Sequence, residues 1–502
     1  MKKLIALLLA LLALSILFLY ACNPGGKDES DPGKTGTSGT GETPGATENP
    51  YVTVNEDGTV TYNITAPVFD WGGKKFSILV RGDGGEYADV DFSYSEAKEG
   101  EPVNDAAHRR AIEIEEMYNI KINTIRSPRD QHVTQIRNSV QAGDNAYDIT
   151  FNHPRANGPL SREGALYNLL DFPNINTDEP WWDNNIIEMS SIAGKSYQLA
   201  GDISIAYKKC VSVLFFNKQM VSYLGLESPY KLVEDNKWTF ETVIGMCKAV
   251  WGLNGEANPS STSIVGMTGQ NGTLSQALSA CYVRMCAKND DDIPYVDFYN
   301  EHTLDAFEMV TDFFYDRTLF FNFHAGYAGG RSGTQKFQNN ETLFFWNEFF
   351  QVTNLRAMDT DFGILPAPKY NAEQPRYYHH SNAAESPLLA IPVGKSDEDK
   401  EKIGAVVSAL AVLGKNYITP AYYDVSLKGK ITRDEESEAM IDLVFASMYY
   451  DIGRVFDIGG LSSGMSNVHS ALNRDIASYY KARENLMESD LSKMVDDYMK
   501  LD

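Results

Sequence analysis

The chain has 502 residues, with 44 Lys and Arg against 68 Asp and Glu, for a formal net charge of −24. A protein this acidic repels nucleic-acid phosphates and anionic lipid headgroups, so neither is expected as a partner, and the acidity reads as solubility outside the cell. Composition is otherwise globular with abundant aromatics, and the roughly 450 residues beyond the N-terminal region exceed what one core usually supports, so two lobes are expected.

In chain order, Met1-Lys2-Lys3 precedes a mainly apolar run over residues 4–19 that ends at Leu19-Tyr20-Ala21-Cys22. This is the layout of a secretory signal, and the small Ala21 before Cys22 resembles a bacterial lipobox, whose cysteine is acylated after cleavage. Tyr20 departs from the usual residue there, and an uncleaved membrane anchor is the alternative. Loss of Lys2 and Lys3 with residues 1–21 would take the charge from −24 to −26. Residues 22–50 then form the lipid anchor and a tether of Gly, Pro, Ser, Thr, Asp and Glu with nothing large to bury, spanning roughly 30 Å as a coil. Gly33-Lys34-Thr35 is no phosphate loop, because Asp28 stands where the earlier glycine is required. The four later cysteines, Cys210, Cys247, Cys281 and Cys286, lack metal-site spacing and sit in apolar settings that predict buried thiols, with a Cys281–Cys286 disulfide left open.

Residues 51–64 alternate around Asp57-Gly58 and predict a hairpin. Residues 75–80 predict a strand ending at Arg81-Gly82-Asp83. Asn104 can cap a helix whose buried stripe is Ala107, Ala111, Ile114 and Tyr118. A strand over 120–125, a helix carrying Val133, Ile136 and Val140 with a stop at Gly143, and a strand over 148–151 complete a parallel unit with right-handed crossovers. Ligands in such sheets sit beyond the carboxyl ends of the strands, so the loops starting at Arg81 and Asn152 are placed at the mouth of a site. Residues 196–216 read as strand-rich and 217–321 as mostly helical; strands are predicted over 341–350, 361–366 and 386–393, a helix over 397–413, and amphipathic helices from Thr432 onward.

Several stretches resemble the extracellular solute-binding proteins of ABC importers, in the group whose best-known members bind oligosaccharides. They are Ala146-Tyr147-Asp148-Ile149-Thr150-Phe151 with Ser161-Arg162-Glu163-Gly164-Ala165-Leu166, the passage from Lys195 to Lys218, and Lys237-Trp238-Thr239-Phe240. Asp361-Phe362-Gly363-Ile364-Leu365-Pro366-Ala367-Pro368-Lys369, continuing to Ala390-Ile391-Pro392, is the most specific of them. The resemblance implies an α/β fold of the periplasmic-binding-protein type: two lobes joined by crossing strands, with a solute held in the interlobe cleft. Lobe 1 would be residues 73–203 plus 380–415, lobe 2 residues 204–379 plus 416–502, and a hairpin over 51–72 would precede them. Crossings are expected near 201–207, 378–385 and 414–417.

The resemblance also nominates ligand contacts: Asp83, Asn152, His153 and Arg155 in the loops of the first lobe, Asp202 at the first crossing, and Trp346 as an aromatic that stacks on ligand. Asn152 stands where oligosaccharide-binding relatives often carry an aromatic, which speaks against a maltodextrin-like ligand. Of the adjacent Trp181 and Trp182, one can line the cleft, or both can wedge against the lobe, while Trp71, Trp238 and Trp251 read as structural. The implied protein is a monomeric receptor with no cofactor or metal, anchored through Cys22 at the outer face of the membrane, that passes a mono- or oligosaccharide to ABC permease subunits. Gly460-Leu461-Ser462-Ser463-Gly464 matches a nucleophile-elbow pattern, but only His469 follows it, too near to return as the base. His379-His380 would point to opposite faces of a strand, and Asn289-Asp290-Asp291-Asp292 lacks the glycine and glutamate of a calcium loop and reads as a solvated turn. A surface glycoside hydrolase with paired carboxylates is the alternative from another class, and an adhesion lipoprotein the third.

Overall fold

The computed structural model describes residues 49–83, 91–92, 94–254, 259–324, 332–356, 358–423 and 435–501. The expected signal, Cys22 and nearly all of the expected tether lie outside the described residues. A short antiparallel hairpin, β1 (Val52–Val54) and β2 (Val60–Tyr62), turns at Gly58 with φ 82°. Asn416 holds it in place, its side chain accepting from the Tyr62 N–H (2.9 Å) and donating to the Tyr62 carbonyl (2.8 Å).

The first sheet begins with β3 (Lys74–Arg81), whose Phe76, Ile78, Leu79 and Val80 are buried. Helix α1 (Pro102–Tyr118) follows, and Ala107, Ala111, Ile114 and Tyr118 line its inner face, because residues three or four apart share one side of a helix. Glu101, not Asn104, occupies the N-cap position, and the Asn104 amide accepts from the Ser95 N–H at 2.8 Å, so it serves the preceding loop. After β4 (Ile120–Ser127), helix α2 (His132–Ala142) stops at Gly143 in the left-handed region, φ 65°. Strand β5 (Ile149–Asn152) leads directly into α3 (Pro154–Arg162). Strand β3 lies between β4 and β5, parallel to both. Parallel pairing therefore brings the carboxyl ends Arg81, Ser127 and Asn152 to one edge.

Residues 196–216 are not strand-rich. They form isolated bridges, Leu199 with Leu389 and Val211 with Ser381, and a 3-10 turn (Ala206–Cys210) before β6 (Ser212–Asn217). Side chains satisfy the backbone here in place of a ladder: the Asp91 carboxylate accepts from the Ile205 N–H at 2.7 Å and from the Ser204 hydroxyl at 2.5 Å.

The second sheet has the order β10-β7-β11-β6-β12. Helix α4 (Phe240–Asn254) precedes β7 (Val265–Gly269), and α5 (Thr273–Ala280) follows it. The hairpin β8 (Cys286–Lys288) and β9 (Pro294–Val296) and helix α6 (Glu301–Phe314) lead to β10 (Phe320–Asn322), β11 (Thr342–Glu348) and β12 (Phe362–Leu365). Strands β7, β10 and β11 are parallel, while β6 runs antiparallel to β11 and β12. The turn between β8 and β9 is not merely solvated. Asp292 accepts from the Ser191 hydroxyl (3.0 Å) and the Gly194 N–H (2.9 Å), tying it to the 191–194 turn. All four described cysteines are buried and free, so Cys281 and Cys286 carry no disulfide.

The chain returns through β13 (His379–His380), and β14 (Leu388–Ala390) then closes the first sheet antiparallel to β5. Helix α7 (Asp397–Leu413) is capped by Ser396, whose hydroxyl accepts from the Asp399 N–H at 3.1 Å. The passage expected at 414–417 is instead a π-helical continuation, Gly414–Ile418, packed on α1. Among the described residues, α8 (Glu435–Ala446) is the next helix and packs on β12 of the second sheet. A Cβ at Gly414 would lie 1.8 Å from the Asp202 carbonyl oxygen. We therefore expect Gly414→Ala to cost about 1–3 kcal/mol by forcing two backbone segments apart, read as a lowered midpoint in a thermal melt.

Strand β15 (Met448–Tyr449) pairs with β13, and α9 (Leu461–Ser470) and α10 (Glu484–Lys500) finish the chain. Helix α10 leans on α3: Ser161 Oγ meets Tyr498 Oη at 2.9 Å, and Arg162 pairs with Asp490 and Asp497, each at 3.0 Å. The C-terminal segment thus touches elements of both sheets and does not belong to the second alone.

Candidate functional site

The carboxyl edge of the first sheet carries a connected set of charges. Arg81 closes β3, and its guanidinium pairs with Asp83 (3.2 Å) and, through Nη1, with Glu385. Just past β4, Arg129 pairs with the same Glu385 (3.2 Å), and its backbone N–H donates to Asp83 (3.1 Å). Glu385 belongs to the passage between β13 and β14, so one carboxylate from a crossing segment clamps two loops of the first sheet. The same passage reaches the second sheet, where Asn382 donates to Glu348 at the end of β11 (2.7 Å).

Next to this clamp, Asn152 closes β5 and is pinned by a 2.5 Å contact between its Oδ1 and His132 Nδ1. His153 occupies the N-cap position of α3, and its Nδ1 has no hydrogen-bond partner. Burial first, then the guanidiniums of Arg129, Arg81 and Arg155, push its imidazole down to about pKa 3, so it is neutral at physiological pH. Arg155 reaches across to the C-terminal segment, donating to the Arg454 carbonyl (3.3 Å) and to Ser462 Oγ (2.7 Å). Ser462, the centre of the elbow-like pattern, thus faces a guanidinium, while His469 Nδ1 sits 3.0 Å from the Asn271 carbonyl.

Arg454 lies on the short Ile452–Val455 helical turn, is 1% exposed, and none of its three guanidinium nitrogens has a hydrogen-bond partner among the described residues. His380, on the crossing strand, has an unpartnered Nδ1, and burial together with Arg454 and Arg155 holds its imidazole well below the ordinary histidine range. Beside it in the β13–β15 ladder stands Tyr449. This ring meets Tyr378 edge-on at 5.6 Å and Tyr282 at 6.0 Å, and Tyr282 stacks on Tyr378 at 4.1 Å. The seam between the sheets therefore combines guanidiniums, neutral imidazoles and an aromatic wall, the side-chain types that orient a polar solute with apolar faces.

Four of the residues nominated from sequence, Asp83, Asn152, His153 and Arg155, come together here. The others stand elsewhere. Asp202 is 6% exposed and taken up by Lys415 (3.0 Å) and Thr419 (2.7 Å), an ion cluster that secures the helix end at the first crossing. Trp181 and Trp182 are both buried in the core of the first lobe, Trp181 edge-on to Tyr51 at 5.8 Å and Trp182 bridged to Gly201. Trp346 is fully buried in mid-strand, stacked on Phe240 at 5.9 Å with its indole N–H donating to Ser212 Oγ at 2.7 Å, and offers no open face. Trp251, read as structural, is 42% exposed. Sequence reasoning missed Arg129, Arg454, His380, Glu385 and the tyrosine wall. The one available signal was a lone arginine inside the mainly apolar stretch from Tyr449 to Phe456.

Solved structures share this architecture. A cyclo/maltodextrin-binding protein complexed with maltotetraose is 12% identical, with 85% of this chain and 97% of that chain covered at TM-score 0.54. A cyclic α-maltosyl-1,6-maltose binding protein from Arthrobacter globiformis is 11% identical, covering 84% and 99% at TM-score 0.55. An ABC substrate-binding protein from Listeria monocytogenes in complex with cycloalternan is 12% identical, covering 86% and 100% at TM-score 0.51. At these identities the likeness is one of fold, and no curated protein matches the sequence. The family described as bacterial extracellular solute-binding protein matches residues 95–413, more than half of the chain, and the protein belongs to that family.

Proposed function

We propose that the protein is the solute-capturing receptor of an ABC importer, taking a carbohydrate into the seam between its two sheets and delivering it to a membrane permease. The observation that carries this reading is the convergence of Arg81, Arg129, His153, Arg155 and Glu385 at the carboxyl edge of the first sheet, joined through Asn382 to the end of β11. A site shared by two sheets gains contacts when the lobes close, which couples capture to shape. Similarly folded proteins bind maltotetraose, cyclic maltosyl-maltose and cycloalternan, which supports a saccharide. The lobes that move are the one built on the first sheet and the one built on the second. Acylated Cys22 and the tether keep the receptor at the outer face of the membrane, and it acts as a monomer.

A thermal-shift panel of mono- and oligosaccharides, peptides and polyols tests the reading on the tetherless protein. A ligand at one hundred times its dissociation constant adds about 2.7 kcal/mol to stability. We expect a saturable shift with a saccharide that is recovered chemically unchanged. Turnover of the shifting glycan would replace the receptor by a glycoside hydrolase, and silence of every saccharide would remove the carbohydrate assignment.

A further inference from the structure

Arg454 is the least satisfied charge in the described residues. An arginine guanidinium stays protonated at any physiological pH, carries five donors in a planar fork, and is rarely buried without an acceptor. Here Nε, Nη1 and Nη2 are all unpartnered in a side chain that is 1% exposed. The carboxylate with the strongest pull on it, Asp451, is already engaged: it caps the helical turn, accepting from Gly453 N–H (2.8 Å), and accepts from Met285 N–H (2.6 Å). Farther along the charged edge, Arg129 Nε has no partner either. Arg155 donates to the backbone carbonyl of Arg454, and its positive charge acts on the Arg454 guanidinium. The two nearby histidines, His153 and His380, have unpartnered nitrogens and carry no compensating negative charge. Within a strongly acidic protein, the seam has gathered four guanidiniums and left all three nitrogens of Arg454 without a partner.

We propose that the solute is an anionic saccharide, bearing a carboxylate or sulfate, and that Arg454 is the residue that binds the anionic group, with Arg155, which donates to the Arg454 carbonyl, adding a second positive charge. The proposal rests on the reading of the seam as a saccharide site. Two parallel N–H···O bonds from a guanidinium suit an oxyanion, and a buried fork left empty before binding gains its partner only when ligand arrives. The tyrosine wall beside His380 would then meet the apolar face of the sugar ring.

The test compares matched pairs on the tetherless protein by calorimetric titration: digalacturonate against its dimethyl ester, glucuronate against glucose, and galactose 6-sulfate against galactose, with citrate and inorganic sulfate as anions lacking a sugar. We expect one acidic saccharide to bind at least about 30-fold more tightly than its neutral counterpart, the loss seen when one partner of a buried charge pair is removed. The carboxylate and sulfate pairs identify which oxyanion it is. Arg454→Met should abolish that preference while the ligand-free protein melts at or above the wild-type temperature, because an unpaired buried charge has been removed; Arg454→Lys should restore part of it. A neutral saccharide bound as tightly as its acidic partner would overturn the anionic inference and leave the receptor reading standing. Binding of citrate or sulfate with no saccharide would overturn the inference together with the carbohydrate assignment. Should Arg454→Met fail to fold, the matched pairs on the wild-type chain decide alone.

Discussion

Replacing Trp346 by Ala is expected to lower the unfolding free energy by about 3–5 kcal/mol while leaving the solute affinity of the folded protein unchanged. The indole is fully buried between Phe240, stacked at 5.9 Å, and Phe314, edge-on at 6.1 Å, so its removal opens a cavity in a dense aromatic layer. It would also strip Ser212 Oγ of its 2.7 Å donor. The register explains why this residue stabilises the sheet and does not face solute. Trp346 pairs with Leu214 within β11, and the carboxyl end of that strand comes later, at Glu348. Urea unfolding paired with titration of whichever saccharide the panel identifies separates the two roles. Unchanged stability with lost affinity would put the indole back against the ligand.

Trp346 shows where a sequence stops speaking. Its strand was legible from the apolar run, but depth along that strand is fixed by pairing with β6, and β6 lies more than a hundred residues earlier. The same limit hid β7. Its Val-Gly-Met-Thr-Gly has no alternation to read, since every residue is buried and Gly266 is required where α4 crosses, a Cβ there lying 2.4 Å from that of Cys247. By contrast, β3, β4 and β5 with α1 and α2 could be read locally, because apolar spacing and a left-handed Gly143 are properties of a few consecutive residues.

The site divides in the same way. The loops that carry Asp83, Asn152, His153 and Arg155 follow from a topological rule, that ligand sites lie beyond the carboxyl ends of parallel strands, and the resemblance picked the residues within them. Glu385 and Arg454 obey no such rule. One arrives on a crossing segment and the other on a four-residue turn in a region that reads only as helical, and both gain meaning from partners some 300 residues away in sequence. A buried arginine can be suspected from an apolar stretch, but whether its donors are satisfied is visible only in three dimensions.

Histidine 379 shows the same dependence on assembled structure, and it makes the stability of this protein sensitive to acid. It is fully buried at the crossing: its Nε2 accepts from the Ala367 N–H at 2.9 Å, and its Nδ1 faces Ser447 Oγ at 2.8 Å. The Ser447 hydroxyl donates to the Leu443 carbonyl and so accepts from Nδ1–H, which fixes one neutral tautomer. Burial pushes the folded pKa of His379 down to about 3, against about 6.5 in the unfolded chain. Between those values the unfolded state binds more protons, so the stability this residue contributes is present above pH 6.5 and is lost as pH falls toward 3, on the order of 4 kcal/mol over the whole interval. From pH 6.5 to 5.0 the loss should be about 1.5–2 kcal/mol, before most carboxylates titrate. His379→Gln removes the titrating ring while keeping groups that can hydrogen-bond Ala367 and Ser447. Its unfolding free energy should therefore fall less steeply across that window than the wild-type value, with His153 and His380 contributing equally to both curves. Parallel curves would mean that the neutral ring is not what acid attacks at this crossing.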